Sequence, residues 1–274
     1  MNTTVKRTIA GVLFLAIMVG SLLLDKYFWI AVTVASMFQM MREFFEMTMG
    51  HRHNKVQVAS LAVASVAFVS AMGVAQGTFS WGWMGMDLVA MILLMVAMVV
   101  DHVDFKEYSY VFTALLYIAL PVTLSPFVVF PGGVFDGRLM LAFFILIWSS
   151  DTGAYCFGML FGQKLWPAKL CPSISPKKSW AGAIGGMITT LIAAYILKLA
   201  GWLPFPPVHL FAMAAVMNVL GVFGDLFESL WKRQFGVKDS GNIMPGHGGL
   251  LDRFDSSLFA IPAGYIYLLL NGLL

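Results

Sequence analysis

Nine apolar runs, near residues 8–24, 27–47, 56–76, 84–101, 110–130, 138–161, 180–200, 208–231 and 254–272, leave this 274-residue chain few ways to fold. An α-helix needs roughly 20 apolar residues to cross a bilayer core of ~30 Å. Backbone polar groups inside that core must be satisfied within the segment, so each run dictates a helix. Hydrophobic residues make up 59% of the chain, charged residues only 11%, and the mean hydropathy is +0.83. A soluble domain is nearer to half apolar and about a quarter charged. The expected fold is therefore all-α, a polytopic integral membrane protein of about nine transmembrane helices, with no separate soluble domain. Five spans fall in residues 1–135 and four, with polar loops between them, in a catalytic region at 136–274. Lys6-Arg7 ahead of the first run suggests a signal peptide, but that run passes quickly into further spans and lacks a small-residue cleavage site.

Assigning the loops to alternate faces tests the count through Lys and Arg. One face collects Lys6, Arg7, Arg42, Arg52, Lys55, Lys106, Lys164, Lys169, Lys177, Lys178, Lys232, Arg233, Lys238 and Arg253, fourteen in all, and the other only Lys26, Arg138 and Lys198. The N-terminus and every charged loop are thus expected in the cytoplasm, and the protein in the inner, cytoplasmic membrane. The net charge of +3 is modest for the length, and no nucleic-acid partner is expected. Cys156 and Cys171 have no metal-type spacing.

Residues 221–257 concentrate charge between the last two runs: Asp225, Glu228, Lys232, Arg233, Lys238, Asp239, Asp252, Arg253 and Asp255. Asp225 and Glu228, three apart, share a helix face, and Asp252 and Asp255 repeat the spacing. Gly236, Gly241, Gly246, Gly248 and Gly249, with Pro245, rule out a continuous helix and make a loop whose backbone can approach a ligand closely. Carboxylates of two helices would then face each other across a loop carrying Lys232, Arg233, Lys238 and His247, as in a divalent-metal and phosphate site. The alternative, an ordinary charged loop, does not explain acids set inside or against apolar segments, where burial is costly unless they are paired or bind metal.

Upstream, Trp148-Ser-Ser-Asp151-Thr-Gly-Ala-Tyr155 puts an acid inside an apolar run, with Tyr155 one helical turn later on the same face. A helix-packing hydrogen bond is the alternative, although Ser or Thr alone would serve it. Phe161-Gly162-Gln163-Lys164 follows, then Ser173-Ile-Ser175-Pro176-Lys177-Lys178-Ser179-Trp180-Ala181-Gly182. Two adjacent lysines, hydroxyls and a helix start make a phosphate cradle, with positive-inside anchoring as the simpler alternative. In the first five spans Arg42, Glu43 and Glu46, with His51-Arg52-His53, read as an interfacial cap. Asp101, His102, Asp104 and His209 read likewise, and the many Met and Phe residues as packing bulk.

Ser229-Leu-Trp-Lys232-Arg233, then Lys238-Asp239-Ser-Gly241, then Pro245-Gly-His247-Gly248-Gly249-Leu-Leu-Asp252-Arg253-Phe-Asp255 closely resembles the signature of the phosphatidate cytidylyltransferases, also called CDP-diacylglycerol synthases. Trp231 and Met244 depart from it, both at packing positions. A Ser-Asp-Thr-Gly-Ala-Tyr segment and a Ser-Pro-Lys-Lys segment precede the signature in the family's order, so the resemblance spans about residues 148–257. Ala181 stands where many relatives have an acidic or amide residue.

The resemblance implies a reaction: phosphatidate and CTP give CDP-diacylglycerol and pyrophosphate. The lipid phosphate attacks the α-phosphorus of CTP, so no enzyme nucleophile is needed, only charge neutralisation and in-line positioning, usually from Mg²⁺ on carboxylates with Lys or Arg on the pyrophosphate. Asp225 and Asp252 are the expected metal ligands, for one ion or two, with Asp255, Asp239 and Glu228 next. Lys238, Asp239 and His247 join them as catalytic candidates. Ser175, Lys177, Lys178, Ser179, Asp151, Tyr155, Lys232, Arg233 and Arg253 are the substrate-binding candidates. No residue reads as cytosine-specific, so CTP rests on the resemblance alone, and a homodimer is one oligomeric state open to the chain. The rival from another class is an ion-coupled transporter. Transport acids should lie near mid-membrane in two related halves, whereas these collect near one face and no internal repeat is found.

Overall fold

The apolar runs are helical throughout. The computed structural model describes residues 3–162, 166–244, 246 and 248–274, with side chains from Thr8 onward. His247, Pro245, Gln163, Lys164 and the side chains of Lys6 and Arg7 lie outside the described residues. In chain order the helices are α1 (Thr3–Leu24), α2 (Lys26–Thr48), α3 (Asn54–Ala75), α4 (Gly85–Val100), α5 (Phe105–Ala114), α6 (Leu120–Val129), α7 (Arg138–Leu160), α8 (Trp180–Leu199), α9 (Pro207–Gln234), α10 (Leu251–Phe254) and α11 (Ser257–Leu270). Among the described residues six stretches, 54–75, 81–100, 105–129, 138–160, 180–199 and 207–234, are long and apolar enough to cross a membrane. Of the others, α1 has 22 residues, α11 has 14, and α2, at 23, carries Arg42, Glu43 and Glu46.

Two local features break the regular pattern for identifiable reasons. Between α5 and α6 the chain makes a π-turn over Leu115–Ala119, with Leu120 N–H donating to Leu115 O. Pro121 follows directly; a proline removes a helical donor and crowds the preceding turn, and a π-turn absorbs that misfit without ending the span. The second feature is a small β-hairpin in an otherwise all-α chain, β1 (Lys169–Cys171) paired antiparallel with β2 (Ser175–Ser179).

The chain divides into two compact units. The first joins Met1–Gly137 to Asp239–Arg253, and the second comprises Arg138–Lys238 and Phe254–Leu274. In the first, α3 packs on α4 and α6, while Met37, Met40, Met41, Phe44 and Phe45 of α2 are fully buried. The expected interfacial cap around α2 holds only in part. Arg42 Nε and Glu46 Oε1 form an exposed pair at 2.8 Å one turn apart, but Glu43 is buried at 1% exposure. His51-Arg52-His53 is not simply a solvated turn either. His53 Nδ1 lies 2.7 Å from Asp101 Oδ2, its Nε2 lies 3.0 Å from Glu107 Oε2, and Arg52 Nη1 reaches Glu107 Oε1 at 2.8 Å. Glu107 is buried, and these ion pairs offset by charge the cost of its burial, although neither carboxylate oxygen has a partner in hydrogen-bond geometry among the described residues.

In the second unit α7 packs along α8, and α9 lies against both α8 and α11. Lipid tails are as apolar as Leu, so such helices associate by close van der Waals contact rather than by a hydrophobic drive. Glycine supplies the closeness. A Cβ on Gly182 would stand 2.8 Å from Ala154 O, and one on Gly186 would stand 3.0 Å from Ser150 O. Between α9 and α11 His209 Nδ1 meets the Tyr267 hydroxyl at 3.1 Å, a packing contact rather than an interfacial cap.

Candidate functional site

The hairpin and the three helices α7, α8 and α9 enclose a cavity of about 720 Å³ in the second unit. Its lining carries the acids Asp151 from α7 and Asp225 from α9 together with the bases Lys177 and Lys178 from β2. Tyr155 also lines it, one turn beyond Asp151, as the helical spacing requires. At the deep end Asn218 of α9 donates from Nδ2 to Ser150 Oγ at 2.7 Å and to Thr190 Oγ1 at 3.2 Å, tying three helices together through a buried polar knot.

Local chemistry places the bases. Register fixes Lys169 opposite Ser179 and Cys171 opposite Ser175, and Trp180 N–H donates to Ala168 O at 3.0 Å, so the hairpin runs directly into α8. Ser179 is the N-cap of α8: its buried hydroxyl accepts from Gly182 N–H at 3.1 Å. That contact uses a lone pair of the hydroxyl and leaves its O–H able to donate. Lys178 Nζ meets Asp225 Oδ2 at 2.7 Å, while Lys177 is exposed at the rim. The adjacent lysines expected to converge therefore differ, one already paired with a carboxylate.

The other acids and bases of this unit divide by burial. Lys232 and Glu228 form an ion pair at 2.6 Å, both buried in α9 one turn apart. Arg233 is exposed and donates from Nε to Ile174 O at 3.3 Å and from Nη1 to Val237 O at 3.2 Å, bracing the tip of the hairpin. Asp255 sits in the turn before α11, accepting from Ser256 N–H at 2.6 Å.

The residue chemistry around the cavity suits Mg²⁺. That ion is commonly held by one or two carboxylates together with substrate phosphates, not by an all-protein cage. No cluster of three His, Cys, Asp or Glu side chains poised to hold a metal occurs among the described residues. Lys238, Asp239 and Arg253 are exposed.

Asp252 belongs to the first unit, where it organises a loop. Its Oδ2 accepts from Gly249 N–H at 2.7 Å, Ser240 N–H at 2.9 Å and Ser240 Oγ at 3.0 Å. The glycines expected to admit a ligand instead admit protein carboxylates: a Cβ on Gly248 would stand 2.6 Å from Asp252 Oδ2, and one on Gly241 would stand 2.9 Å from Glu43 Oε1. Gly248 also adopts φ +84°, a conformation open mainly to glycine. Three residues of these sites were missed from sequence: Glu43, Asn218 and Ser240. A lone Asn in the apolar run of α9 was a readable signal; nothing linear joins Glu43 to a loop some two hundred residues away.

Long apolar helices around a cavity lined by both lysines and carboxylates define a helical membrane protein with a charged internal site. The chain belongs to the Cytidylyltransferase family, whose model matches residues 5–271. It is 48% identical over 126 residues to the phosphatidate cytidylyltransferase of Bacillus subtilis, a match covering 46% of this chain and 45% of that protein. It is also 34% identical over 191 residues to that of Rickettsia bellii, covering 68% and 80%, and 45% identical over 130 residues to that of Haemophilus influenzae, covering 45% and 43%. The chain spans about half the length of most of these relatives.

Proposed function

We propose that this protein transfers a cytidylyl group from CTP to phosphatidate, giving CDP-diacylglycerol and pyrophosphate. The observation that carries this is the cavity lined by Lys177 and Lys178 together with Asp151 and Asp225, in a chain of this family. The lipid phosphate oxygen forms a bond to the α-phosphorus of CTP while the bond to the pyrophosphate oxygen breaks. The chain's residues hold and neutralise both partners. Lys177 takes a phosphate at the rim. Lys178, paired with Asp225, passes to an incoming phosphate and leaves that carboxylate for a cation. Mg²⁺, when bound, would withdraw charge from the phosphoryl oxygens, with Asp225 as its proposed ligand in the second unit, and Asp252 keeps a proposed metal-binding role in the first. Lys238, Asp239, His247, Asp255 and Arg253 keep proposed catalytic or substrate roles from the family match. Ser175, Arg233, Tyr155 and Lys232 are proposed to hold or shape the substrate site. The proposed topology has nine spans in the inner membrane, with the N-terminus and charged loops cytoplasmic and residues 136–274 as the catalytic region.

Detergent-purified protein should release pyrophosphate from CTP only when phosphatidate and Mg²⁺ are both present. Release without the lipid, or none with all three, overturns the proposal.

A further inference from the structure

Glu43 sits on α2, in a part of the chain that the signature does not reach, and is 1% exposed. A buried carboxylate is costly unless its lone pairs are filled, and here each oxygen has two donors. Oε1 accepts from Leu250 N–H and from Gln39 Nε2, both at 2.9 Å. Oε2 accepts from Leu251 N–H at 2.8 Å and shares the one Ser240 hydroxyl proton, with Oγ 3.2 Å away, with Asp252 Oδ2. Three of these four donors come from the loop 239–251, and the fourth, Gln39, lies one turn away on α2 and steadies the carboxylate. Leu250 and Leu251 stand at the start of α10, whose first amides have no partner within the helix.

The loop is shaped to this contact. Side chains at Gly241 and Gly249 would strike Glu43 itself, so both positions require glycine for the carboxylate to enter. Ser240 Oγ lies between Glu43 Oε2 and Asp252 Oδ2, at 3.2 and 3.0 Å, which links the carboxylate on α2 to the one that closes the loop. The same loop carries Asp239 at one end and Asp252 and Arg253 at the other. We infer that Glu43 is the positioning residue of the signature loop: it fixes Ser240, Leu250 and Leu251, and through them Asp239, Asp252 and Arg253. It touches no substrate in this role.

The activity arm of the test rests on the cytidylyl-transfer proposal, and the exchange arm does not. In Glu43→Gln one oxygen becomes an NH₂ group that faces donors instead of accepting from them. The full-length variant in detergent should keep the wild-type apparent melting temperature to within a few degrees. Its kcat should fall at least tenfold with KM for phosphatidate changed less than twofold, and the Leu250 and Leu251 amides should exchange at least tenfold faster. Glu43→Asp, which keeps both acceptors on a shorter stem, should recover part of kcat. Glu46→Gln, on an exposed turn of the same helix, should match wild type. Wild-type kcat with unchanged exchange in Glu43→Gln overturns the inference, as does an equal loss of kcat and global stability that Glu43→Asp does not relieve. If Glu43→Gln does not fold, the wild type decides: rapid exchange at Leu250 and Leu251 overturns the inference, and slow exchange at both with fast exchange at the exposed Asn242 supports it. A wild type that makes no CDP-lipid defeats the activity proposal while leaving the exchange result standing.

Discussion

Asp225 and Lys178 show how a single pair can serve two states of a site. The 2.7 Å contact pairs a carboxylate that lines the cavity from within α9, and in the proposed reaction a phosphate entering the cavity would compete for the same ammonium. Asp225→Asn should lower turnover at least about a hundredfold, since a charged metal ligand supplies several kcal/mol to the transition state. Steady-state pyrophosphate release checks this, and near wild-type turnover at saturating Mg²⁺ would remove Asp225 from the metal site. Asp104→Asn, at an exposed turn in the first unit, should leave the rate nearly unchanged. Lys177 and Lys178 belong to the same scale. Replacing both by Gln should abolish most activity, whereas Lys55→Gln with Lys106→Gln should behave like wild type. An equal, slight loss in both pairs would make Lys177 and Lys178 topological anchors only.

Secondary-structure elements hold these residues through ends rather than middles. Ser179 ends β2 and caps α8, so Ser179→Ala should destabilise the protein by about 1 kcal/mol, as loss of an N-cap typically does. The apparent melting temperature should drop, and Ser179→Thr, which keeps the hydroxyl, should restore it. At the turn between α2 and α3, Glu107 gathers Arg52 and His53. Glu107→Ala removes the buried carboxylate that pairs with Arg52 and His53, and the exposure of Arg52 to solvent holds its share to at most about 1 kcal/mol. The expected result is a lower melting temperature with unchanged KM for CTP; a wild-type melt would show that the cluster contributes nothing.

Topology is the prediction that belongs to the whole molecule. Fourteen Lys and Arg residues against three predict charged loops in the cytoplasm, and nine spans would then carry the C-terminus to the other side. A reporter after Leu274 should lie outside the cytoplasm and one inserted near Lys169 inside. Finding both on one side would overturn the nine-span count.

The helices and their approximate ends were legible in the sequence, because a bilayer allows an apolar run no other way to satisfy its backbone. So was the gathering of acids and lysines from α7, β2 and α9, since uncompensated charge is rare in such runs and marks a site. The hairpin was not legible: Ser175-Pro176-Lys177-Lys178-Ser179 is short, polar and contains proline, and its strand exists only because it pairs with β1 and leads into α8. Nor was the division of labour among the charges. Residue type and spacing cannot say that Lys178 meets Asp225, that Ser179 turns its hydroxyl to Gly182, or that His53 sits between Asp101 and Glu107. Glu43 is the clearest case. On α2 it has the sequence signature of an exposed interfacial acid beside Arg42 and Glu46, and only the return of residues 240–251 to that helix buries it under four donors. Hydropathy and local spacing act along the chain and so determine helices and the chemistry on offer; hydrogen bonds between distant segments depend on distances that tertiary packing alone sets.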